Sequence, residues 1–228
     1  MKVILITGAS SGIGLSTALE AQRNGFTVIF SSRKIESNIK LRDKLINGSV
    51  LKNLDVSNEE SVKNLFEYVK INFGNIDALI NCAGYVDPET MLATTLDNWN
   101  ETISINLTGT FLCCKYVTNL MKKFGGTIVN VASTAGLTPR PGWGAYAASK
   151  SAVIGFSASI SEELSEYNIK VFVICPGRTA TPLREILAPS EDPHTIMQPE
   201  TVSKTILFCL TKEAAPLEGQ PILVRERF

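Results

Sequence analysis

The chain has 228 residues, enough for one large α/β unit or two small ones. Hydrophobic residues make up 44% and charged residues 19%, a balance suited to a well-buried globule. Lys plus Arg and Asp plus Glu both number 22, and there is no basic run or aromatic–basic interleaving, so nothing points to nucleic acid or an anionic membrane as partner.

Residues 3–6 form a continuous β-branched and aliphatic run, as in a strand covered on both faces. The run is too short for a signal-peptide core or a membrane span. Thr7-Gly8-Ala9-Ser10-Ser11-Gly12-Ile13-Gly14 follows, and a helical pattern through Leu15, Ala18, Leu19 and Ala21 ends near Gly25. Strand, glycine-rich turn and helix in this order make a phosphate cradle. Glycines let backbone N–H groups approach a pyrophosphate at the positive end of the helix. The spacing is G-x-x-x-G-x-G rather than G-x-G-x-x-G, and an ordinary glycine-rich turn is the plainer alternative.

Residues 27–31 predict a second strand, closed by Ser32, Arg33 and Lys34. At this corner a dinucleotide fold meets the adenosine ribose, where a carboxylate binds the 2′-hydroxyl of NAD. The corner holds no carboxylate. The Arg33 guanidinium suits a 2′-phosphate, each charge-assisted bond contributing roughly 1.5–3 kcal/mol, which predicts NADP(H) in preference to NAD(H). A solvated Arg-Lys pair is the alternative.

Residues 35–46 predict a helix stopped by Asn47-Gly48, and residues 49–54 a third strand. Asp55 then stands to accept a bond from an adenine amino group, or Ser57 simply caps the next helix, which runs to about Phe73. Residues 77–80 predict a fourth strand leading to Asn81-Cys82-Ala83-Gly84, where small side chains leave room for a flat ligand. A loop over 85–95 precedes one long helix over 96–124. Inside it Asn106, between Ile105 and Leu107, needs partners, either as a satisfied core amide or as the holder of a water.

Residues 127–131 predict a fifth strand that delivers Ser133 at its carboxyl end. A loop with glycine and proline leads to a helix bearing Tyr146 and Lys150 and reaching about Tyr167. Four residues apart, phenol and ammonium share a helix face. A cation so placed stabilises the phenolate and lowers a tyrosine pKa from its reference of about 10, making Tyr146 a proton donor or acceptor near neutral pH. Taken alone, such a pair is common on helix surfaces. Residues 170–175 predict a sixth strand ended by Pro176-Gly177. Residues 178–199 have four prolines, no strong periodicity and the single histidine, His194, and read as a mobile flap. A helix over 199–210 and a strand over 221–224 follow. Strands alternating with helices, without linker or repeat, predict an α/β fold spanning 1–228: a single Rossmann-type domain with a doubly wound parallel sheet of about seven strands. The five cysteines form no C-x-x-C pair and lack histidine partners, so they predict neither disulfides nor a metal site but small buried hydrophobes in a reducing, cytoplasmic setting.

With these pieces placed, the chain resembles the single-domain short-chain dehydrogenases/reductases over nearly its whole length. The resemblance is carried by Thr7-Gly8-x-x-x-Gly12-x-Gly14, Asp55-Val56, Asn81-x-Ala83-Gly84, Asn106, Ser133, Tyr146-x-x-x-Lys150 and Pro176-Gly177. It leans toward the 3-oxoacyl-carrier-protein reductase and carbonyl reductase branch. It implies Tyr146 as general acid in reduction and general base in oxidation, and Lys150 as the group that holds the nicotinamide ribose and lowers the Tyr146 pKa. It implies Ser133 as the donor to the substrate oxygen, and Asn106 as the holder of a water that relays protons from Lys150. Gly8, Ser10, Ser11, Gly12, Ile13 and Gly14 would line the pyrophosphate; Ser32, Arg33, Asp55 and Val56 would meet the adenosine end. Asn81, Ala83 and Gly84 would run along the path to the nicotinamide, and Pro176, Gly177, Thr179 and Thr181 would approach its carboxamide.

Departures from the family pattern are Cys82, where a second asparagine is usual, Thr179, where Val or Ile is frequent, and the tail Val224-Arg225-Glu226-Arg227-Phe228. Homo-oligomers, dimer or tetramer, are implied, and the tail leaves the choice open. The expected activity is NADPH-dependent reduction of a small-molecule carbonyl (ketone, aldehyde or 3-oxoacyl thioester) to an alcohol. NAD-linked oxidation of a sugar- or steroid-like alcohol and a non-catalytic dinucleotide-binding regulator are the alternatives; such regulators usually lose the tyrosine or lysine. Residues 135–143, 85–90 and 181–199 are the substrate-pocket candidates. Arg140, Arg184 and His194 stand to meet an anionic substrate there, or else are solvated loop residues.

Overall fold

Seven strands, each parallel to its neighbours, run in the order β3-β2-β1-β4-β5-β6-β7 in a computed structural model that describes residues 2–226. They are β1 (Val3–Thr7), β2 (Thr27–Ser32), β3 (Val50–Asn53), β4 (Ala78–Asn81), β5 (Gly126–Val131), β6 (Ile169–Pro176) and β7 (Pro221–Val224). Arg227 and Phe228, the end of the atypical tail, lie outside the described residues, as does Met1. The chain leaves β1 for one edge of the sheet and returns at β4 for the other. Strand order therefore reverses between β1 and β4, and a crevice opens outside their carboxyl ends.

Both faces of the sheet are covered, which is why the strands read as unbroken apolar runs. Ile4, Ile6, Val28 and Phe30 pack on one side against Ala18 and Ala21 of α1 (Gly12–Arg23) and Val202 and Ile206 of α8 (Pro199–Phe208). Leu5, Ile29 and Leu79 point the other way. They meet Val62, Leu65 and Val69 of α3 (Glu59–Phe73), and Leu112, Cys113 and Val117 of α5 (Gly109–Met121). Each such aliphatic side chain, fully buried, contributes roughly 1.5–3 kcal/mol. The alternation along β1 thus divides one strand between two cores.

Four expectations change. The helix over 35–46 is broken into a 3₁₀ turn and the single-turn α2 (Ile39–Arg42). Asn38 accepts a bond from Leu41 N and starts a new turn, while Ile39 and Ile46 stay exposed, so the apolar periodicity there has no core to face. Asn58, not Ser57, caps α3 by accepting from Ser61 N. The long helix over 96–124 is α4 (Leu96–Ile103), a π turn over Ser104–Thr108 and α5. The π turn inserts an extra residue where Asn106 is pulled out of helical register toward Tyr85.

The stretch 178–199, read as a mobile flap without strong periodicity, holds the short helix α7 (Pro182–Leu187), a 3₁₀ turn over Pro193–Thr195 and a parallel bridge between Thr179 and Met197. Thr181 accepts from Arg184 N and Pro182 follows it, a cap-then-proline start that the sequence already contained. Other boundaries move by a residue or two. α6 (Gly144–Leu164) ends in a 3₁₀ turn over Ser165–Tyr167, and a 3₁₀ segment over Lys212–Leu217 precedes β7. The cysteines are free thiols, four of them buried and Cys82 half-buried.

Candidate active site

The crevice is a cavity of about 520 Å³ floored by the strand ends. Its first wall is the turn between β1 and α1. Gly8 adopts φ +68°, and a Cβ on it would lie 2.7 Å from the backbone N of Ala83; a Cβ on Gly14 would collide with the Gly8 carbonyl. The glycines therefore let the turn pack directly on the β4 end. Thr7 fastens the two strand ends, its Oγ1 accepting from Cys82 N and Ala83 N at 3.1 Å each. Ser11 supplies no side-chain cap to α1, so the N–H groups of its first turn face the cavity as an anion site.

Ser10, Ser11, Gly12, Ile13, Ser32, Arg33, Asp55 and Val56 all line this half of the cavity. The buried Ser31 Oγ beside them has no partner among the described residues. A backbone cradle too tight for Cβ atoms, an open helix end and an orphaned hydroxyl fit a dinucleotide well. Asp55 is partly committed, since its Oδ1 accepts from Ser57 N at 3.0 Å and Ser57 Oγ at 2.6 Å. Ser57, expected as a possible cap, instead holds this carboxylate in place.

The second half of the cavity collects Ser133 from the β5 end and Tyr146 and Lys150 from α6, with Ala83, Gly84, Pro176, Gly177, Thr179 and Thr181 around them. Tyr146 is 7% and Lys150 4% exposed. Burial raises the Tyr146 pKa above the ordinary phenol value, against a hydrogen bond from Ser133 and the charge of Arg184, which pull it down. Burial lowers the Lys150 pKa to about 8, offset in part by Cys82 and Cys175 beside it. The Lys150 ammonium donates to Val131 O at 2.9 Å and sits 5.8 Å from the Tyr146 ring centroid. The expectation that Lys150 tunes the phenol downward therefore needs correction. In this arrangement the cation that acts on Tyr146 is Arg184, and desolvation wins.

Two expected residues stand behind the cavity wall instead of on it. Asn106, fully buried, accepts from Tyr85 N at 2.7 Å and donates to Tyr85 O at 2.9 Å and Ser149 Oγ at 3.0 Å. Its amide is fully used in bracing the loop after β4. Asn81 turns into the sheet, donating to Asn130 Oδ1 at 2.8 Å. Asn130 was not anticipated: fully buried, it bonds Ser157 of α6 as well, fastening that helix to β4 and β5. An asparagine inside the apolar run of β5 was its only signal. Trp143 and Leu183, also on the cavity wall, were foreseen only as parts of candidate loops.

The fold and this constellation define an oxidoreductase of the doubly wound α/β class. The chain belongs to the short chain dehydrogenase family, whose pattern matches residues 2–192. It is 35% identical over 224 residues to a 3-oxoacyl-[acyl-carrier-protein] reductase of Synechocystis sp., covering 94% of this chain and 91% of that protein. It is 33% identical over 252 residues to a 3beta-hydroxysteroid dehydrogenase of Mediterraneibacter gnavus, covering 96% and 91%. Among solved structures, an actinorhodin polyketide ketoreductase with NADPH superposes with a TM-score of 0.90 at 26% identity, over 98% of this chain and 95% of that one. No helix among the described residues is long and apolar enough to cross a membrane.

Proposed function

We propose that the chain is an NADPH-dependent reductase that turns a small-molecule carbonyl into an alcohol, with Tyr146 as proton donor. The observation that carries this reading is the pairing of Ser133 and Tyr146 in one cavity with the glycine cradle, Lys150 buried beneath them. Bound NADPH supplies the hydride. Ser133 donates a hydrogen bond to the carbonyl oxygen as negative charge develops there. Tyr146 gives its proton to the same oxygen. Lys150 holds the ribose of the cofactor, and Asn106 fixes the loop and helix around both.

A phenol kept protonated by burial is ready to act as an acid, whereas alcohol oxidation needs it as phenolate. Oxidation of a steroid-like alcohol is the second reading, supported by the hydroxysteroid dehydrogenase relative. Arg33, exposed on the cavity rim at the end of β2, favours the 2′-phosphate of NADP(H). The same proposal has residues 178–199 act as the substrate flap of one catalytic unit. It places the chain in the cytoplasm, consistent with its free thiols, and as a homo-oligomer, consistent with the half-exposed Trp99 and Phe111 on α4 and α5. Steady-state rates on a panel of ketones, 3-oxoacyl thioesters and keto-sugars, run with NADPH and with NADH, test it. Faster turnover with NADH, or no reduction of any carbonyl, would overturn it.

A further inference from the structure

Two guanidinium groups flank one indole beside the candidate proton donor. Arg140 lies 5.7 Å and Arg184 5.8 Å from the Trp143 ring centroid, and all three residues line the cavity with Tyr146. Trp143 sits at the N-terminus of α6, three residues before Tyr146. The backbone of Trp143 therefore precedes that of Tyr146 by roughly one turn of helix rise, about 5 Å. Trp143, Leu183 and Leu187 all pack against the buried group of Val86, Ala135 and Tyr146 and keep this end apolar.

The charge around the indole is only partly neutralised. Arg184 holds Glu191 through Nε and Nη2, the latter at 2.9 Å, with its side chain only 15% exposed. That carboxylate is shared, since Arg178 Nη1 also reaches Glu191 Oε1 at 3.1 Å. Arg140 has no ion pair among the described residues. Glu89 bridges Trp143 through the backbone and pairs with neither arginine. The carboxylates on the cavity wall are Asp55, at the end of β3, and Glu226, which accepts from Thr201. Neither is paired with Arg140 or Arg184. Glu191 thus fixes one guanidinium against the indole face while a second remains available, in a chain whose formal net charge is zero.

We infer that the substrate carries an anionic oxygen group, a carboxylate or a phosphate, which binds between Arg140 and Arg184 over Trp143 while its carbonyl meets Ser133 and Tyr146. This rests on the reductase reading and adds the substrate class to it. Arg140 and Arg184 act as specificity residues: they select the substrate and leave the proton to Tyr146.

The test is NADPH consumption by the full chain with matched pairs: acetoacetate against its ethyl ester, and dihydroxyacetone phosphate against dihydroxyacetone. In at least one pair the anion is expected to have a kcat/KM about tenfold or more above its neutral partner, the worth of one charge-assisted bond. The pair that shows the gap identifies the group. Arg140→Gln, on an exposed loop and with no ion pair to lose, should shrink the gap through KM; Arg184→Lys should retain part of it and Arg184→Gln should not. Equal turnover of anions and neutral partners, or a gap that survives in the Arg140→Gln/Arg184→Gln double variant, overturns the inference and leaves the reductase reading intact. No reduction of any of the four compounds, nor of the wider carbonyl panel, overturns both.

Discussion

Asn106 clasps the backbone of Tyr85 from both sides, accepting from its N–H at 2.7 Å and donating to its carbonyl at 2.9 Å. The clasp sits on a π turn in the middle of what would otherwise be a single helix. It joins three parts of the site: the loop after β4, the helix pair α4–α5, and Ser149, the neighbour of Lys150.

Asn106→Ala removes all three bonds and leaves the Tyr85 N–H and carbonyl without their side-chain partners. Such a loss costs about 1–3 kcal/mol per buried group left unsatisfied. Urea unfolding should show a lower midpoint with an unchanged slope, and turnover should fall with the stability. A variant as stable as the parent would mean that water replaces the amide at no cost.

Tyr146→Phe keeps the ring packed with Val86 and Ala135 and deletes only the hydroxyl. Turnover should drop by about 10²–10⁴, the usual contribution of a positioned acid, while NADPH binding by fluorescence stays near normal. Unchanged turnover would remove Tyr146 from the chemistry.

Lys150 gives a pH signature. Its pKa is about 8 in the fold against an ordinary 10.5. Below pH 8 the ammonium is charged in both states, and the burial penalty is present in full. Between pH 8 and 10.5 the folded protein has lost that proton and the unfolded chain keeps it, so stability rises with pH across this window. Relative to Lys150→Met, which cancels the other titrations, the cofactor-free protein should gain on the order of 3 kcal/mol between the two ends. A difference that is flat or falls with pH would show that Lys150 is not held in a charge-hostile site.

Arg33→Asp reverses the charge at the adenosine corner. It should raise KM for NADPH by about tenfold or more, for a lost charge-assisted bond, and improve the use of NADH. If the NADPH preference survives, Arg33 is a solvated surface residue, the alternative that the sequence left open.

The parts of the site that the sequence displayed clearly were those fixed by local chemistry. Gly8, Gly12 and Gly14 follow a strand and open a helix, so their purpose could be read without knowing what they pack against. Tyr146 and Lys150 share a helix face by arithmetic. The broken helix over 35–46 was less legible, because Asn38 and Leu41 settle it through a cap, and because only a tertiary core decides whether Ile39 and Ile46 count as apolar positions. Asn81 was read as facing the ligand. Its side chain instead meets Asn130, a residue 49 positions away that only strand pairing brings opposite it.

By itself, the sequence determined the class of fold, the order of its elements and most of the residues that line the crevice at the strand ends. Unbroken apolar strands must be covered on both faces, and the chain crosses between two cores wherever helices alternate with them. What only the tertiary structure decided was the environment of each titratable group. Lys150 was expected to lower the Tyr146 pKa, yet burial raises it, opposed by a hydrogen bond with Ser133 and by the charge of Arg184 from the segment read as a flap. A pKa depends on what surrounds a group in every direction, and that surrounding is assembled from distant parts of the chain. The approach of Arg140 and Arg184 to Trp143 arises in the same way, from a loop and the short helix α7, more than forty residues apart, that the fold brings to one cavity.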